Sequence, residues 1–315
     1  TEADDIKSAP TAQRGKAGEF GAVYIENRGT ARAQQLGEKP LSPGGAAVLN
    51  IDSPEFAGLA ALCRGRGLDV IRFGHEPGSE LRIVDRVPLP SGQKLAVEIL
   101  GERSDIFLPL VGGFQASNVL AALGLVIATG AAPRESVAVL PLLSGVPGRM
   151  QFVGETGGET GTGAAVFVDY AHTPDALATV LTALRPHTER RLAVVFGAGG
   201  DRDRGKRPLM GRVVTDLADV VYVTDDNPRS EDPAEIRRAI LEAAPGAVEI
   251  GDRREAIGAA VAGLGRGDVL VVAGKGHETG QIIGDRVLPF DDAAVAREAL
   301  AAQGDNARAT MSGRR

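Results

Sequence analysis

The chain has 315 residues, 43% of them hydrophobic and 24% charged, the balance of a soluble globular protein of about two domains. One cysteine excludes an intramolecular disulfide framework and fits a reducing compartment, and with only four histidines it leaves little for a His/Cys zinc site. A net charge of -6, no tryptophan and 4% aromatics argue against nucleic-acid binding, and no apolar run approaches the roughly 18 residues of a membrane span.

The chain opens on Thr1, and no charged segment leads into an apolar one, so no signal peptide is expected. The missing initiator Met fits a fragment or a processed start. Residues 1–40 are polar, carry neither a period of 2 nor one of 3.6, and read as weakly structured. Pro43-Gly44-Gly45 is a turn, and 46–50 reads as a short buried strand. Ser53 and Pro54 suit the cap and first position of a helix ending near Gly65 or Gly67. Residues 69–74 are the next strand, and strands at about 81–86 and 94–100, joined across Pro90-Ser91-Gly92, predict an antiparallel pair. An Ala/Leu-rich helix covers 117–130 and a second about 133–143. Ser144-Gly145-Val146-Pro147-Gly148 breaks the pattern and marks an interdomain hinge.

The rhythm then becomes strand, helix, strand. Strands are expected at 166–170, 192–196, 219–224 and 268–273, and helices at about 174–185, 207–217 and 233–243. Asp252 and Glu255 form a capping box for a further helix, 281–290 reads as a hairpin, and Asp291 starts the last helix. Residues 303–315 are polar and read as a disordered tail. Apolar strands alternating with amphipathic helices predict a mostly parallel sheet covered on both faces, where ligands bind beyond the carboxyl ends of the strands.

Polar residues cluster at those ends: Asp169-Tyr170-Ala171-His172, Gly197 to Arg202, Asp225-Asp226-Asn227-Pro228-Arg229, and Gly274-Lys275-Gly276-His277-Glu278. In the second cluster and just after it, glycines admit backbone N–H groups to a ligand while Arg202, Arg204, Lys206 and Arg207 supply positive charge, which suits a phosphate or carboxylate; a solvated, salt-bridged loop is the alternative. Thr173, Pro174 and Asp175 are explained by helix capping alone, but Asp169 and His172 are not. In the third cluster Arg229 offers a planar fork for a carboxylate, and Asp226 and Asn227 are placed to receive an ammonium. Glu278 is available to accept from an amine, and Lys275 reads equally well as a surface charge. No Gly-x4-Gly-Lys-Ser/Thr loop occurs anywhere in the chain.

Taken with Gly113 to Ala122, Val146-Pro147-Gly148-Arg149-Met150 and Val168 to Leu177, these clusters resemble the C-terminal half of the Mur ligases over about residues 41–300. The resemblance implies an α/β chain: a partial middle domain with a mixed sheet and helices (41–145), then a Rossmann-like C-terminal ligase domain (146–302). Residues 1–40 match nothing in the family. It further implies a cytoplasmic, monomeric enzyme of peptidoglycan synthesis that uses ATP and Mg2+ to activate a carboxylate as an acyl phosphate, which the amine of an incoming amino acid attacks. The implied partners are UDP-N-acetylmuramoyl dipeptide and meso-diaminopimelate, with no nucleic acid or membrane.

By motif position, Asn118 and His172 lie near adenine and Arg149 near ribose or phosphate, while Arg202, Asp226, Asn227, Arg229, Gly274 and Glu278 hold the amino acid. No catalytic residue or metal ligand is assigned. Arg229 marks the diaminopimelate-adding type, because lysine lacks the distal carboxylate that Arg229 attracts. With no phosphate-binding loop in the sequence, the chain alone is expected to bind the amino acid weakly and not to turn over ATP. A folylpolyglutamate synthetase-like ligase and a non-catalytic small-molecule-binding remnant are the competing readings.

Overall fold

The computed structural model describes residues 22–24, 45–156 and 163–312. Two compact units are present, one formed by Thr1–Arg82, Glu98–Gly101 and Leu120–Val137, the other by Ile83–Val97, Glu102–Val119 and Ala138–Arg315.

The first unit is built on parallel strands β1 (Ala22–Tyr24), β2 (Ala46–Asn50) and β3 (Asp69–Gly74), which the start of β4 (Leu81–Leu89) continues in parallel at Phe73 and Gly74. β1 falls inside the segment read as weakly structured; the rest of 1–40 lies outside the described residues. Helix α1 (Phe56–Gly65) lays Leu59, Ala60 and Cys63 on Ala47, Leu49 and Leu68. It starts later than Ser53 and Pro54 suggest: Glu55 is the N-cap, and the Ser53 hydroxyl is turned to the Glu55 carboxylate instead. The second half of α2 (Gly113–Ala128) crosses this sheet where Gly124 permits it, since a Cβ there would lie 2.7 Å from Val48 Cγ1.

The predicted antiparallel strands are β4 and β5 (Gly92–Ile99), and a strand that the sequence did not signal, β6 (Glu102–Leu108), completes the order β1-β2-β3-β4-β5-β6. The helix expected over 133–143 is shorter. α3 spans Pro133–Ala138 and gives way to a 3-10 turn at Leu140–Leu142, because Pro141 has no N–H for the helical ladder.

The second unit carries the parallel sheet. Its order is β11-β10-β9-β12-β8-β7, with β7 (Gln151–Glu155), β8 (Ala165–Asp169), β9 (Leu192–Phe196), β10 (Val220–Val223), β11 (Val248–Glu249) and β12 (Val269–Ala273). All pairs are parallel except β7 with β8. Alternation within each central strand sorts side chains to two cores. Phe167, Val194, Phe196 and Val271 meet α4 (Pro174–Leu184), α5 (Lys206–Leu217) and α6 (Pro233–Leu241). Val166, Val168, Val195 and Val272 meet α7 (Arg253–Ala262) and α8 (Asp292–Ser312).

Burial on both faces explains why these strands read as unbroken apolar runs. Caps hold the helices in place: Thr173 Oγ1 accepts from Ala176 N, Asp232 from Ala234 N and Asp252 from Glu255 N. Helix α8 corrects the expected disordered tail, since it runs through 303–312 to Ser312. The segment continues the helix that Ala293, Val295 and Ala296 anchor on the sheet. Hairpin β13 (Gly280–Ile283) and β14 (Arg286–Pro289) stands beside the sheet's carboxyl edge. No helix among the described residues is long and apolar enough to cross a membrane.

Candidate active site

Because β8, β9, β10 and β12 are parallel, the four polar clusters leave the same edge of the sheet. The loops after β10 and β12 are the most tightly joined. Lys275 is fully buried (0%), and its ammonium donates to Asn227 Oδ1 at 2.7 Å and to Gly280 O at 3.0 Å. It also lies 3.3 Å from Asp226 Oδ1 and 3.9 Å from Glu278 Oε2. Asn227 is 6% exposed; its oxygen also accepts from Ile282 N at 2.9 Å, and its NH2 donates to Glu278 Oε2 at 3.0 Å. Asp226 is 7% exposed, and its Oδ1 makes no hydrogen bond of good geometry although the Lys275 charge is close. Beneath this group Arg253, fully buried, donates to both oxygens of Asp292 at 2.8 Å and to Ala273 O at 3.0 Å. Burial works against its charge, but pairing with Asp292 outweighs that and holds its pKa above the usual value.

Arg229 extends this cluster. It has a left-handed backbone, φ 53°, which a non-glycine residue adopts only when its surroundings impose it. The hairpin imposes it here, with Arg229 N donating to Ile282 O and Gly284 N donating to Arg229 O. The guanidinium Nη1 donates to Gly200 O at 2.8 Å and more weakly to Asn227 O at 3.4 Å. Its other nitrogens have no hydrogen-bond partner among the described residues. Gly199 and Gly200 are required where they stand: a Cβ on Gly199 would lie 2.9 Å from that Nη1, and one on Gly200 would run into Pro228 O.

The β8 loop meets the β12 loop through backbone. A Cβ on Gly276 would come within 2.7 Å of Tyr170 Cβ, and one on Gly148 would collide with His277 N. Asp169 clamps the segment, its two oxygens accepting from Met150 N at 2.8 Å and Ala171 N at 2.7 Å. Burial raises the Asp169 pKa, and those two amides restrain the rise. Tyr170 gathers the side chains: Arg149 Cζ sits 4.7 Å from its ring centroid, His172 packs edge-on at 4.6 Å and His277 at 5.3 Å. His172 Nδ1 is 2.8 Å from Tyr170 O, and Lys206 Nζ donates to His172 O at 2.9 Å. Burial lowers the Lys206 pKa.

The structure therefore brings Arg149 and His172 to one aromatic ring, and Asp226, Asn227, Arg229, Gly274 and Glu278 to one buried network. Gly274, φ 126°, enters it through its backbone, donating its N–H to Asp169 O at 3.0 Å. Arg202 stands exposed at the rim with only a weak 3.4 Å bond to Asp201 O. Asn118 is exposed on α2 and has no hydrogen bond to this group.

Several expectations change. Lys275 is no surface charge, because its polar partners enclose it. Asn227 does not offer an open amide to a substrate ammonium, since both ends are engaged by the protein. Of the basic residues after β9, Arg207 is buried against Glu231 and Arg204 pairs with it too, while Lys206 serves the His172 carbonyl. Tyr170 and His277 were given no role, although the motif strings contain both, and Lys275 was read as a surface charge; a lysine between two glycines after an apolar strand was the signal for its burial.

Residues 148–276 match the Mur ligase, glutamate ligase domain, and residues 31–126 match the Mur ligase middle domain. The chain belongs to the Mur ligase family. The middle-domain match starts at residue 31, so part of the 1–40 segment, read as unmatched, does align with the family. This Mur ligase is 59% identical over 263 residues to the UDP-N-acetylmuramoyl-L-alanyl-D-glutamate–2,6-diaminopimelate ligase of Caulobacter vibrioides, covering 82% of this chain and 53% of that protein. A solved structure of a ligase of that name superposes with TM-score 0.68 at 35% identity, covering 82% of this chain and 53% of the other. Folylpolyglutamate synthase of Mycobacterium tuberculosis shares the fold, with TM-score 0.54 at 24% identity over 80% of this chain and 60% of that one. The chain spans about half the length of the curated relatives it matches.

Proposed function

We propose that this chain serves an ATP-dependent ligase that adds meso-diaminopimelate to UDP-N-acetylmuramoyl-L-alanyl-D-glutamate, in the cytoplasm and as a monomer. Residues 41–145 are assigned to the middle domain and 146–302 to the amino-acid-binding domain. The observation that carries this reading is the Arg229 fork. One nitrogen is fixed on Gly200 O while the others have no hydrogen-bond partner among the described residues, and the Asp226 and Glu278 carboxylates lie in the adjoining network. A ligand ending in both a carboxylate and an ammonium matches that pair of charges, whereas lysine brings an ammonium alone. Arg202 at the rim and the Gly274 backbone complete the amino-acid end. The Caulobacter relative bears the name of a diaminopimelate ligase, which supports the same choice.

The nucleotide end is assigned to Arg149, His172 and Asn118. Arg149, exposed over the Tyr170 ring, and half-buried His172 beside it present a cation and a flat surface, which fits a phosphate and a base. ATP would supply the phosphoryl group that activates the acceptor carboxylate. Mg2+ is proposed as the counter-ion of the phosphates. Among the described residues no three His, Cys, Asp or Glu side chains converge into a protein cage for it, so none is assigned to the metal.

Calorimetry with diaminopimelate tests the reading. Arg229→Ala is expected to raise the Kd by about tenfold or more, the scale of one charge-assisted hydrogen bond. An unchanged Kd would overturn the assignment of Arg229.

A further inference from the structure

We infer that Lys275 is a positioning residue that sets which way the Asn227 amide faces and thereby aims Glu278 at the ammonium of the incoming amino acid. This inference rests on the diaminopimelate reading of the site and names the group that organises it. An asparagine side chain can be turned over with little change in shape, so its orientation must be imposed by partners. Here two donors converge on one of its atoms, Lys275 Nζ at 2.7 Å and Ile282 N at 2.9 Å. Neither can accept a hydrogen bond, so the atom they meet is the oxygen. The NH2 is then left facing Glu278, where it donates to Oε2 at 3.0 Å.

That bond fixes one carboxylate oxygen of Glu278, a residue whose side chain is 35% exposed, and leaves the other for a ligand. With the amide reversed, Asn227 would set its oxygen against the Glu278 carboxylate and its NH2 against two donors, which is unfavourable at both ends. If the ammonium is removed, Ile282 N is the one donor left on the Asn227 oxygen, and the bond from the NH2 to Glu278 must hold the other end unaided.

Charge balance points the same way. Lys275 is a fully buried cation beside two carboxylates, Asp226 at 3.3 Å and Glu278 at 3.9 Å. With the buried Arg253–Asp292 pair beneath counted as neutral, one cation against two anions leaves a net charge of minus one, the complement of a single substrate ammonium. The bond from Lys275 to Gly280 O also ties the hairpin, which holds the Arg229 backbone, to the same centre. Lys275 thus touches Asp226, Asn227, Glu278 and the hairpin at Gly280 without needing to touch the ligand.

A double-mutant cycle in the full chain, read by calorimetry with diaminopimelate, tests this. Lys275→Met is expected to weaken binding about tenfold or more. In an Asn227→Ala background the same change should weaken it clearly less than in the wild-type background, because the amide through which Lys275 aims Glu278 is gone and only its charge and its bond to Gly280 O remain to be lost. Equal losses in both backgrounds, or wild-type affinity in Lys275→Met, would overturn the inference.

Side-chain NMR of 15N-asparagine-labelled wild-type chain supplies a second readout that needs neither ligand nor a folded Lys275 variant. The Asn227 NH2 resonances, assigned by their loss in Asn227→Ala, should show Overhauser contacts to the Glu278 methylenes. Contacts to the Lys275 ε-methylene in their place would refute the orientation. If wild-type chain fails to bind diaminopimelate, the functional reading falls, while the NMR result still judges the role of Lys275.

Discussion

Whether a charged residue here serves the fold or a ligand depends on how many of its polar atoms the protein has already used. Arg253 commits all three nitrogens to the protein, to Asp292, Ala273 O and, more weakly, Asp225 O, and is a fixture of the fold, whereas Arg229 spends one nitrogen on Gly200 and keeps the others. His187 shows the same accounting in a neutral ring. It is buried in the second unit, its Nδ1 2.7 Å from Leu89 O, while its Nε2 accepts from Gly112 N at 2.9 Å. The proton therefore sits on Nδ1, and a second one on Nε2 would break the bond to Gly112. Burial and, to a lesser degree, the nearby Arg86 charge lower its pKa.

The sign follows from linkage. A depressed folded pKa contributes stability that is complete above the unfolded value of about 6.5 and is lost as pH falls through the folded value. The melting temperature is thus expected to fall as pH drops from about 7 to about 5, and His187→Gln should flatten that slope. An identical slope in the variant would show that other groups carry it. None of this was legible in the sequence, where His187 is a lone histidine after a helix and its partners are 75 and 98 positions away.

Among elements, the ones that bear function are loops held in shape by close backbone approach. Of the non-glycine residues with positive φ among those described, Met150, Asp201 and Arg229 all lie in the loops at the sheet's carboxyl edge, and Leu100 is in a plain turn. Gly148 and Gly276 let two of these loops touch. Gly276→Ala, at φ 58° with Tyr170 Cβ at 2.7 Å and Gly148 O at 2.8 Å from the new methyl, is expected to cost about 1–3 kcal/mol. Chemical denaturation would measure this, and a variant as stable as wild type would mean the loops separate without cost.

The helix caps Thr173, Asp232 and Asp252 and the apolar runs of β8, β9 and β12 were readable because each is a local signal. β6 was not, since Glu102-Arg103-Ser104-Asp105 is too charged to look like a strand and forms one only against β5. β7 was hidden by Gln151, Gly154 and Glu155, which break its apolar run, and β11 by having just two residues.

For the whole molecule, the parallel sheet converts sequence order into a site. Residues as far apart as His172 and Glu278 reach one edge because their loops leave strands that run the same way. That convergence was legible from the strand-end clusters. The division of labour inside it was not, since Lys275 and Asn227 could be sorted into organisers and Arg229 into a ligand group only once burial and bond partners were known.

The central claim is that this edge recognises an amino acid carrying opposite charges at its far end. Calorimetric comparison of meso-diaminopimelate, lysine and glutamate on the wild-type chain tests it most directly. The account predicts that diaminopimelate binds at least about tenfold more tightly than either of the others. Equal affinity for lysine, or a preference for glutamate, would contradict it.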